Sequence, residues 1–331
     1  MRIWYDACTG KQVRFATAIG RRLRKQGHEF VFTTREHPDT TALANLIGEH
    51  PIVIGKYNPS SLLGRLQESA NRIIQLSKLF EDRSPDVAIS HQSVELCRVA
   101  FGLGVTVITS ADTPHAEAVN RLTIPLSNVV LISEAIPKNL YTKYGARRII
   151  QFKGVDEVAW TKKPEVSTSI SFQRPLIVVR QSEMRAAYGL GKQDFTVEAA
   201  HKLSVLGTVV FLPRYSRPKY KNVIALDRFV DSVSLAKQAD LVVSVGGTIS
   251  REAALQGTPS IVISQFGKIH VNDYLSKKGF PLFTITPSLL TKFAKRLLGK
   301  KFNVKSKLKE LEDPVDVIER ILSNKKDQGF S

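Results

Sequence analysis

Short β-branched apolar runs alternate with helix-length amphipathic stretches along nearly the whole chain, in two successive arrays. In the first, Arg2–Tyr5 reads as a strand and is followed by a helical stretch from about Val13 to Gln26. Gly27 stops that helix, and His28–Thr33 reads as the next strand. A long amphipathic stretch follows, with Leu62, Leu63, Leu66, Ile73, Ile74 and Leu76 at helical spacing. Strands are then expected at Asp86–Ser90, Val105–Thr109, Asn128–Ile132 and Ala146–Phe152. Strands separated by helices of about 10–15 residues predict a parallel sheet covered on both faces.

The second array repeats the scheme. Leu176–Arg180, Thr208–Pro213, Val223–Leu226, Leu241–Val245 and Ser260–Ser264 read as strands. Val197–Leu206, Asp231–Ala239 and Ser250–Gln256 read as helices. The expected fold is α/β: two doubly wound, Rossmann-like domains whose parallel sheets face an interdomain cleft. An N-terminal acceptor domain is placed at 1–160, a linker rich in Lys, Pro and Ser at 161–174, and a C-terminal domain at 175–310. Residues 311–331 form a closing helix able to return to the N-terminal domain. Ligands of such sheets bind at the carboxyl ends of the strands, so the loops there carry the candidate chemistry.

Composition narrows the class. The 331 residues are 43% apolar and 24% charged, which excludes a disordered chain. Two cysteines, Cys8 and Cys97, supply neither a disulfide framework nor a structural zinc site, so an intracellular protein is expected. The N-terminus reaches Asp6 too soon for a signal-peptide apolar region, and no run approaches the ~20 apolar residues of a membrane span. The net charge of +18 calls for an anionic partner. It is uneven: residues 166–331 hold 26 basic and 14 acidic side chains, and Lys292–Lys309 holds eight basic and no acidic ones. That run is either a solvated face or a contact for anionic lipid or nucleic acid.

The most specific local feature runs from Ala239 to Glu252: a buried strand, then Gly246-Gly247-Thr248, then a helix start. Glycines admit a close backbone approach, and the free N–H groups of a helix start bind phosphate. Glu252, one turn in, can accept from a ribose diol. The alternative is a tight strand–helix turn with Ser250 as cap and Glu252 complementing the helix dipole. The segment is neither a Walker A loop nor Gly-x-Gly-x-x-Gly.

Together with Arg228-Phe229-Val230-Asp231, Glu252-Ala253-Ala254 and Gly257-Thr258-Pro259, this segment resembles the donor-binding half of GT-B glycosyltransferases. It is most similar to the lipid-linked peptidoglycan GlcNAc transferase and somewhat less to UDP-GlcNAc 2-epimerase. The resemblance implies that Gly246, Gly247 and Thr248 hold the nucleotide diphosphate, that Glu252 binds the ribose, and that Arg228 and Phe229 lie beside the base. It also implies that the loop Asp6–Gln12 meets acceptor and diphosphate, with Lys11 neutralising phosphate charge. The whole chain resembles an archaeal family that carries a domain-of-unknown-function label within the same superfamily. The matching stretches are Arg98–Gly104, Asp112–Val119, Gly154–Trp160 and Leu212–Tyr215.

For reaction chemistry the candidates are Asp112, His115 and Glu117, three ionisable groups within six residues after the strand Val105–Thr109. His115 has the pKa best suited to a general base, while helix capping explains Asp112 and Glu117 equally well. Arg180 and Arg214, at strand ends, suit a diphosphate leaving group, or ion pairs with Glu183 or Asp227. Asn272 and Asp273, placed in a loop, are candidates to read sugar hydroxyls. His91 reads as an ordinary turn residue and Cys8 as a small filler. No Asp-x-Asp, His-Glu-x-x-His or Cys-x-x-Cys motif occurs, so metal-independent chemistry is expected, with no cofactor beyond a substrate nucleotide sugar.

These readings favour a cytoplasmic sugar transferase that uses a nucleotide-sugar donor, UDP-linked by the resemblance. Its acceptor would be a lipid-linked or glycan hydroxyl, with peripheral contact to an anionic membrane at its inner face. The alternatives are a UDP-sugar 2-epimerase or hydrolase of the same fold, and a non-catalytic binder of nucleotides or nucleic acid. No nucleic-acid-binding signature supports the last.

Overall fold

The strands of the two arrays close into two separate sheets. A computed structural model describes residues 1–58, 60–162, 171–183, 194–214, 217–227, 229–264 and 268–328. The first sheet contains β1 (Arg2–Ala7), β2 (Glu29–Glu36), β3 (Ile52–Lys56), β4 (Val87–Ser90), β5 (Thr106–Ser110), β6 (Val129–Ser133) and β7 (Ile149–Phe152). Their order is β3-β2-β1-β4-β5-β6-β7, and every pair is parallel. The second contains β8 (Leu176–Arg180), β9 (Thr208–Leu212), β10 (Val223–Ala225), β11 (Leu241–Ser244), β12 (Ser260–Ile263) and β13 (Leu282–Ile285). Its order, β10-β9-β8-β11-β12-β13, is also wholly parallel. Each order reverses once, between β1 and β4 and between β8 and β11, and a doubly wound sheet opens its ligand crevice at that switch point.

β3 and β13, which the alternation of the sequence left unmarked, both lie at sheet edges. Asn272 and Asp273 belong to the helix His270–Lys277 rather than to a loop.

The chain divides into two units, Met1–Ala159 with Glu312–Ser331, and Trp160–Leu311. In the first, the helix Pro314–Gln328 is tied by Glu319, Asp316 and Asp313 to Arg22 of the helix Gly10–Lys25. In the second, strand periodicity sends alternate residues to opposite faces. Ile177, Val179, Phe211 and Val243 pack against Ala200, Leu203 and Ala294 on one face. Val178, Val210 and Val242 pack against Leu235, Ala236 and Ala253 on the other. Both faces being covered, the strands must be apolar throughout, as buried parallel strands are.

The first unit buries a charge at its switch point. Asp6, fully buried near the end of β1, takes two bonds from the guanidinium of Arg72, at 2.9 and 2.5 Å. Ser93 and Thr33 donate to it as well, at 2.5 and 2.7 Å. Arg72 lies on the helix Leu62–Leu79 and spends its Nε on the Ile54 carbonyl, 2.8 Å away. Burial pushes the Asp6 carboxyl up, but Arg72 and the two hydroxyls outweigh this and hold it below the usual carboxylate range. Removing one partner of such a pair strands the other as an unpaired buried charge. Asp6→Asn is therefore expected to destabilise the first unit by roughly 3–5 kcal/mol in urea unfolding; a loss below about 1 kcal/mol would show that the pair carries little.

Candidate active site

Four loops at the carboxyl ends of the first sheet converge on one side chain, Lys11. The loop after β1 is short: Thr9 caps the helix Gly10–Lys25 by accepting from the Gln12 amide. Gln12 pins this first turn to the next loop, donating to the His91 carbonyl at 2.6 Å and accepting from the Cys8 amide at 2.5 Å. Lys11 Nζ is thereby held 2.6 Å from Asp112 Oδ2, in the loop after β5, and 2.8 Å from Asp156 Oδ2, in the loop after β7. Glu157 Oε1 stands 3.9 Å away.

His91, the first residue after β4, completes the group. Its Nε2 is 3.0 Å from Asp156 Oδ2 and 3.6 Å from Asp112 Oδ1. Ser110 donates to Asp156 Oδ1 at 3.3 Å. Gln92, which follows His91, has φ of 58°, an uncommon conformation for a residue with a side chain. It is held by Thr109 Oγ1 at its amide and by Asn120 Oδ1 at its side chain. Strained backbone of this kind persists only where the surroundings enforce it.

Three carboxylates, one ammonium and one imidazole thus share a largely buried volume. Burial pushes the Asp156 carboxyl up, but the Lys11 ammonium and the His91 imidazole beside it hold it well below the usual range. Burial, with Asp112 and Asp156 adding to it, raises the phenol of the enclosed Tyr141. Such a group can take up a proton, or steer one, at His91. The His91 nitrogen and one oxygen each from Asp112 and Asp156 lie within 4.8 Å of one another, a spacing that a divalent cation can use. The Lys11 ammonium already faces both of these carboxylates.

Only part of this was marked in the sequence. Of the three residues expected to be catalytic, Asp112 is in the cluster. His115 is exposed in the following turn, and Glu117 is exposed and bonded to Arg121 at 2.9 and 2.7 Å. Both corrections have one cause: nearness in sequence after β5 does not put side chains on the same side of the loop. The residues that do lie beside Asp112 are His91, read as a turn residue, and, through Lys11 and His91, Asp156. The signal available for Asp156 was the matching stretch Gly154–Trp160. Lys11 faces carboxylates, where the resemblance implied phosphate. Cys8 is buried, its thiol pushed up to about 12 by burial and by Asp6, so it is no nucleophile.

In the second unit, Gly246 and Gly247 follow β11 at its switch point, and Gly247 precedes the helix Thr248–Leu255. No atom lies within 4 Å of where a Cβ would stand on either glycine, so the backbone here faces open space. Ser244 shapes the turn, accepting from the Gly246 amide at 3.2 Å and sharing a bond with Ser250 at 2.7 Å. Glu252, expected to meet a ribose, is fully buried. Trp160 donates to one of its oxygens and Ser232 to the other, each at 2.9 Å. Arg214 is 3.0 Å from Glu183, the ion-pair reading of that residue, and Arg180 ends β8. Phe229 is partly exposed; Arg228 and Tyr215 lie outside the described residues. Asn272 is buried and accepts from Arg251 at 3.1 Å, which turns it away from solvent, and Asp273 lies in the first turn of its helix.

The two parallel-sheet α/β units of seven and six strands, each with one switch point, form a GT-B-like fold. The chain belongs to the family described as "Protein of unknown function (DUF354)", whose model matches residues 1–326. An uncharacterized protein of Methanocaldococcus jannaschii is 30% identical, over 96% of each chain. The UDP-GlcNAc 2-epimerase of the same organism, solved with UDP-GlcNAc and UDP, superposes with a TM-score of 0.68 at 17% identity. It covers 98% of this chain and 100% of its own. Spinosyn forosaminyltransferase superposes at 0.61 with 14% identity, over 98% of each chain. Spinosyn rhamnosyltransferase, complexed with the spinosyn aglycone, superposes at 0.59 with 14% identity, over 97% of this chain and 100% of its own. At these identities the structural likeness concerns the fold.

The buried acids make stability depend on pH. Asp6 and Asp156 both titrate lower in the folded chain than the value near 3.9 of an unfolded aspartate. Their contribution is complete above about pH 5 and is lost as pH falls through the folded values. The melting temperature should fall less steeply between about pH 5 and pH 3 in Asp156→Asn than in the unsubstituted protein; equal slopes would remove Asp156 from that account.

Proposed function

We propose that this protein is a sugar transferase that uses a nucleotide-sugar donor, UDP-linked, and performs its acid–base chemistry in the first unit. The observation that carries this reading is the cluster of Lys11, His91, Asp112 and Asp156 at the switch point of β1 and β4. With Nε2–H donated to Asp156, the imidazole of His91 carries its lone pair on Nδ1 and takes the proton of an acceptor hydroxyl. The imidazolium so formed is met by two carboxylates. Lys11 holds both carboxylates in place, so positioning and electrostatics supply the rate.

The second unit holds the donor. The open backbone of Gly246 and Gly247, with the N–H groups of the helix Thr248–Leu255, suits a diphosphate. Phe229 offers a face for the base, and Arg180 a charge for the leaving group. Lys11 stands against both carboxylates that a cation would use, which favours a reaction without a divalent metal. A lipid-linked or glycan hydroxyl is the acceptor this reading requires.

The second reading, a UDP-sugar 2-epimerase or hydrolase, is favoured by one feature: three carboxylates and an imidazole exceed the single base that a transfer needs. Incubation with UDP-GlcNAc separates the two. Release of UDP only when an acceptor alcohol or glycan is added supports transfer; conversion of the sugar, or UDP release without acceptor, supports the second. Asp112→Asn and His91→Gln should each lower turnover about 100-fold or more. Unchanged turnover in both would end the assignment.

A further inference from the structure

A cation that already faces a carboxylate is engaged within the chain; a half-buried cation that faces none is available to a ligand. Arg35 stands half-buried near the carboxyl end of β2. Its guanidinium carbon lies 4.3 Å from the centroid of the Tyr57 ring. Among the described residues no carboxylate or carbonyl accepts from that guanidinium, and its Nε is buried without a hydrogen-bond partner. A buried cationic donor with no acceptor is costly, and an arriving oxyanion removes that cost.

The neighbouring backbone holds Arg35 in this position. Thr34 pairs with Val53 and Glu36 with Lys56, so β3 carries one residue more than β2 opposite Arg35, and Gly55 there has φ of 69°. A bulge of this kind re-aims the side chains beside it. The Tyr57 amide donates to the Glu36 carbonyl at 3.1 Å, and the His37 ring lies 5.2 Å from the Tyr57 ring. Thr40 donates to the Arg35 carbonyl at 3.1 Å. A guanidinium plane fixed against a ring loses little freedom when it binds. Its fork matches the paired oxygens of a phosphate or a carboxylate.

The location is that of a ligand site, at the carboxyl ends of a wound sheet. Ala7 of β1 pairs with Thr34 of β2, so Cys8 and Arg35 are the next residues outward. Burial and Asp6 raise the Cys8 thiol, and Arg35 is near enough to oppose them. Cys8 opens the loop that carries Lys11. β2 and β4 flank β1. At ~4.8 Å per strand, the strands that end near Arg35 and at His91 run roughly 10 Å apart. One ligand laid across β1 can therefore set a negative group on Arg35 and a hydroxyl at His91.

We propose that Arg35, with the Tyr57 ring against it, is an oxyanion subsite of the first unit. On the transferase reading, on which this part rests, the acceptor carries a phosphate or carboxylate group that Arg35 holds while the reacting hydroxyl meets His91. A neutral alcohol would forgo that bidentate contact, so the subsite selects for acidic acceptors.

The test is a thermal-melt titration of the full chain with inorganic phosphate and, separately, with acetate, against chloride at matched ionic strength. At least one of the two should raise the melting temperature along a saturating curve, and which one does so names the group. Arg35→Gln should weaken that binding about tenfold or more, and Gly246→Val should keep it. Arg35→Lys retains the charge and the stem but not the fork, so it should bind several-fold more weakly; it carries the test if Arg35→Gln does not fold. The proposal is overturned if neither anion acts beyond chloride, or if the Arg35 variants bind as tightly as the unsubstituted protein. It is also overturned if Gly246→Val alone loses the binding, which would put the anion on the second unit. No nucleotide sugar enters this titration, so its failure leaves the transferase reading standing, and a chain inactive on UDP-GlcNAc would leave the oxyanion subsite standing.

Discussion

The bidentate pair between Asp6 and Arg72 fixes the ground on which the first unit is built. Asp6 sits where β1 meets the switch point, and the four bonds it accepts from Arg72, Ser93 and Thr33 come from the helix Leu62–Leu79, the loop after β4 and strand β2. A carboxylate buried there is tolerable only when every lone pair is taken. That demand sets the positions of Ser93 and Arg72 together, and Ser93 in turn caps the helix Val94–Gly102. His91, two residues before Ser93, is thereby placed beside Asp156. The candidate site inherits its geometry from a buried charge that lies outside it.

Much of the fold was legible because buried parallel strands must be apolar on both faces. Arg2–Tyr5 and Leu241–Val245 announced themselves for that reason. β3 and β13 were not marked, although Ile52–Ile54 and Leu282–Phe283 are apolar. The strand order itself is a property of three-dimensional packing, and only the general rules for wound sheets anticipate it. In the site, Lys11 and Asp112 stood out as charged residues just past strands. His91 and Asp156 lie 65 residues apart and meet only when β4 and β7 join one sheet. Local proximity pointed instead to His115 and Glu117, both exposed, the latter bonded to Arg121. Glu252 was found at the expected position, yet burial gives its carboxylate to Trp160 and Ser232.

The net charge of +18 resolves into separate uses. Lys11, Arg22 and Arg72 are spent on internal carboxylates. Lys56 stands 3.8 Å from Glu68. Among the described residues, Lys292, Lys295, Arg296, Lys300, Lys305 and Lys309 form no ion pair, and all six are exposed. A cation count therefore says little about partners, whereas the neighbours of each cation say which are already engaged. No helix among the described residues is long and apolar enough to cross a membrane.

The central claim is a division of labour, with nucleotide held by the second unit and proton transfer performed in the first. Calorimetric titration of UDP tests it most directly. Gly246→Val places its side chain in open space and should leave the fold intact while abolishing UDP binding. His91→Gln should bind UDP as tightly as the unsubstituted protein. If Gly246→Val binds UDP normally, or His91→Gln loses it, the division is wrong.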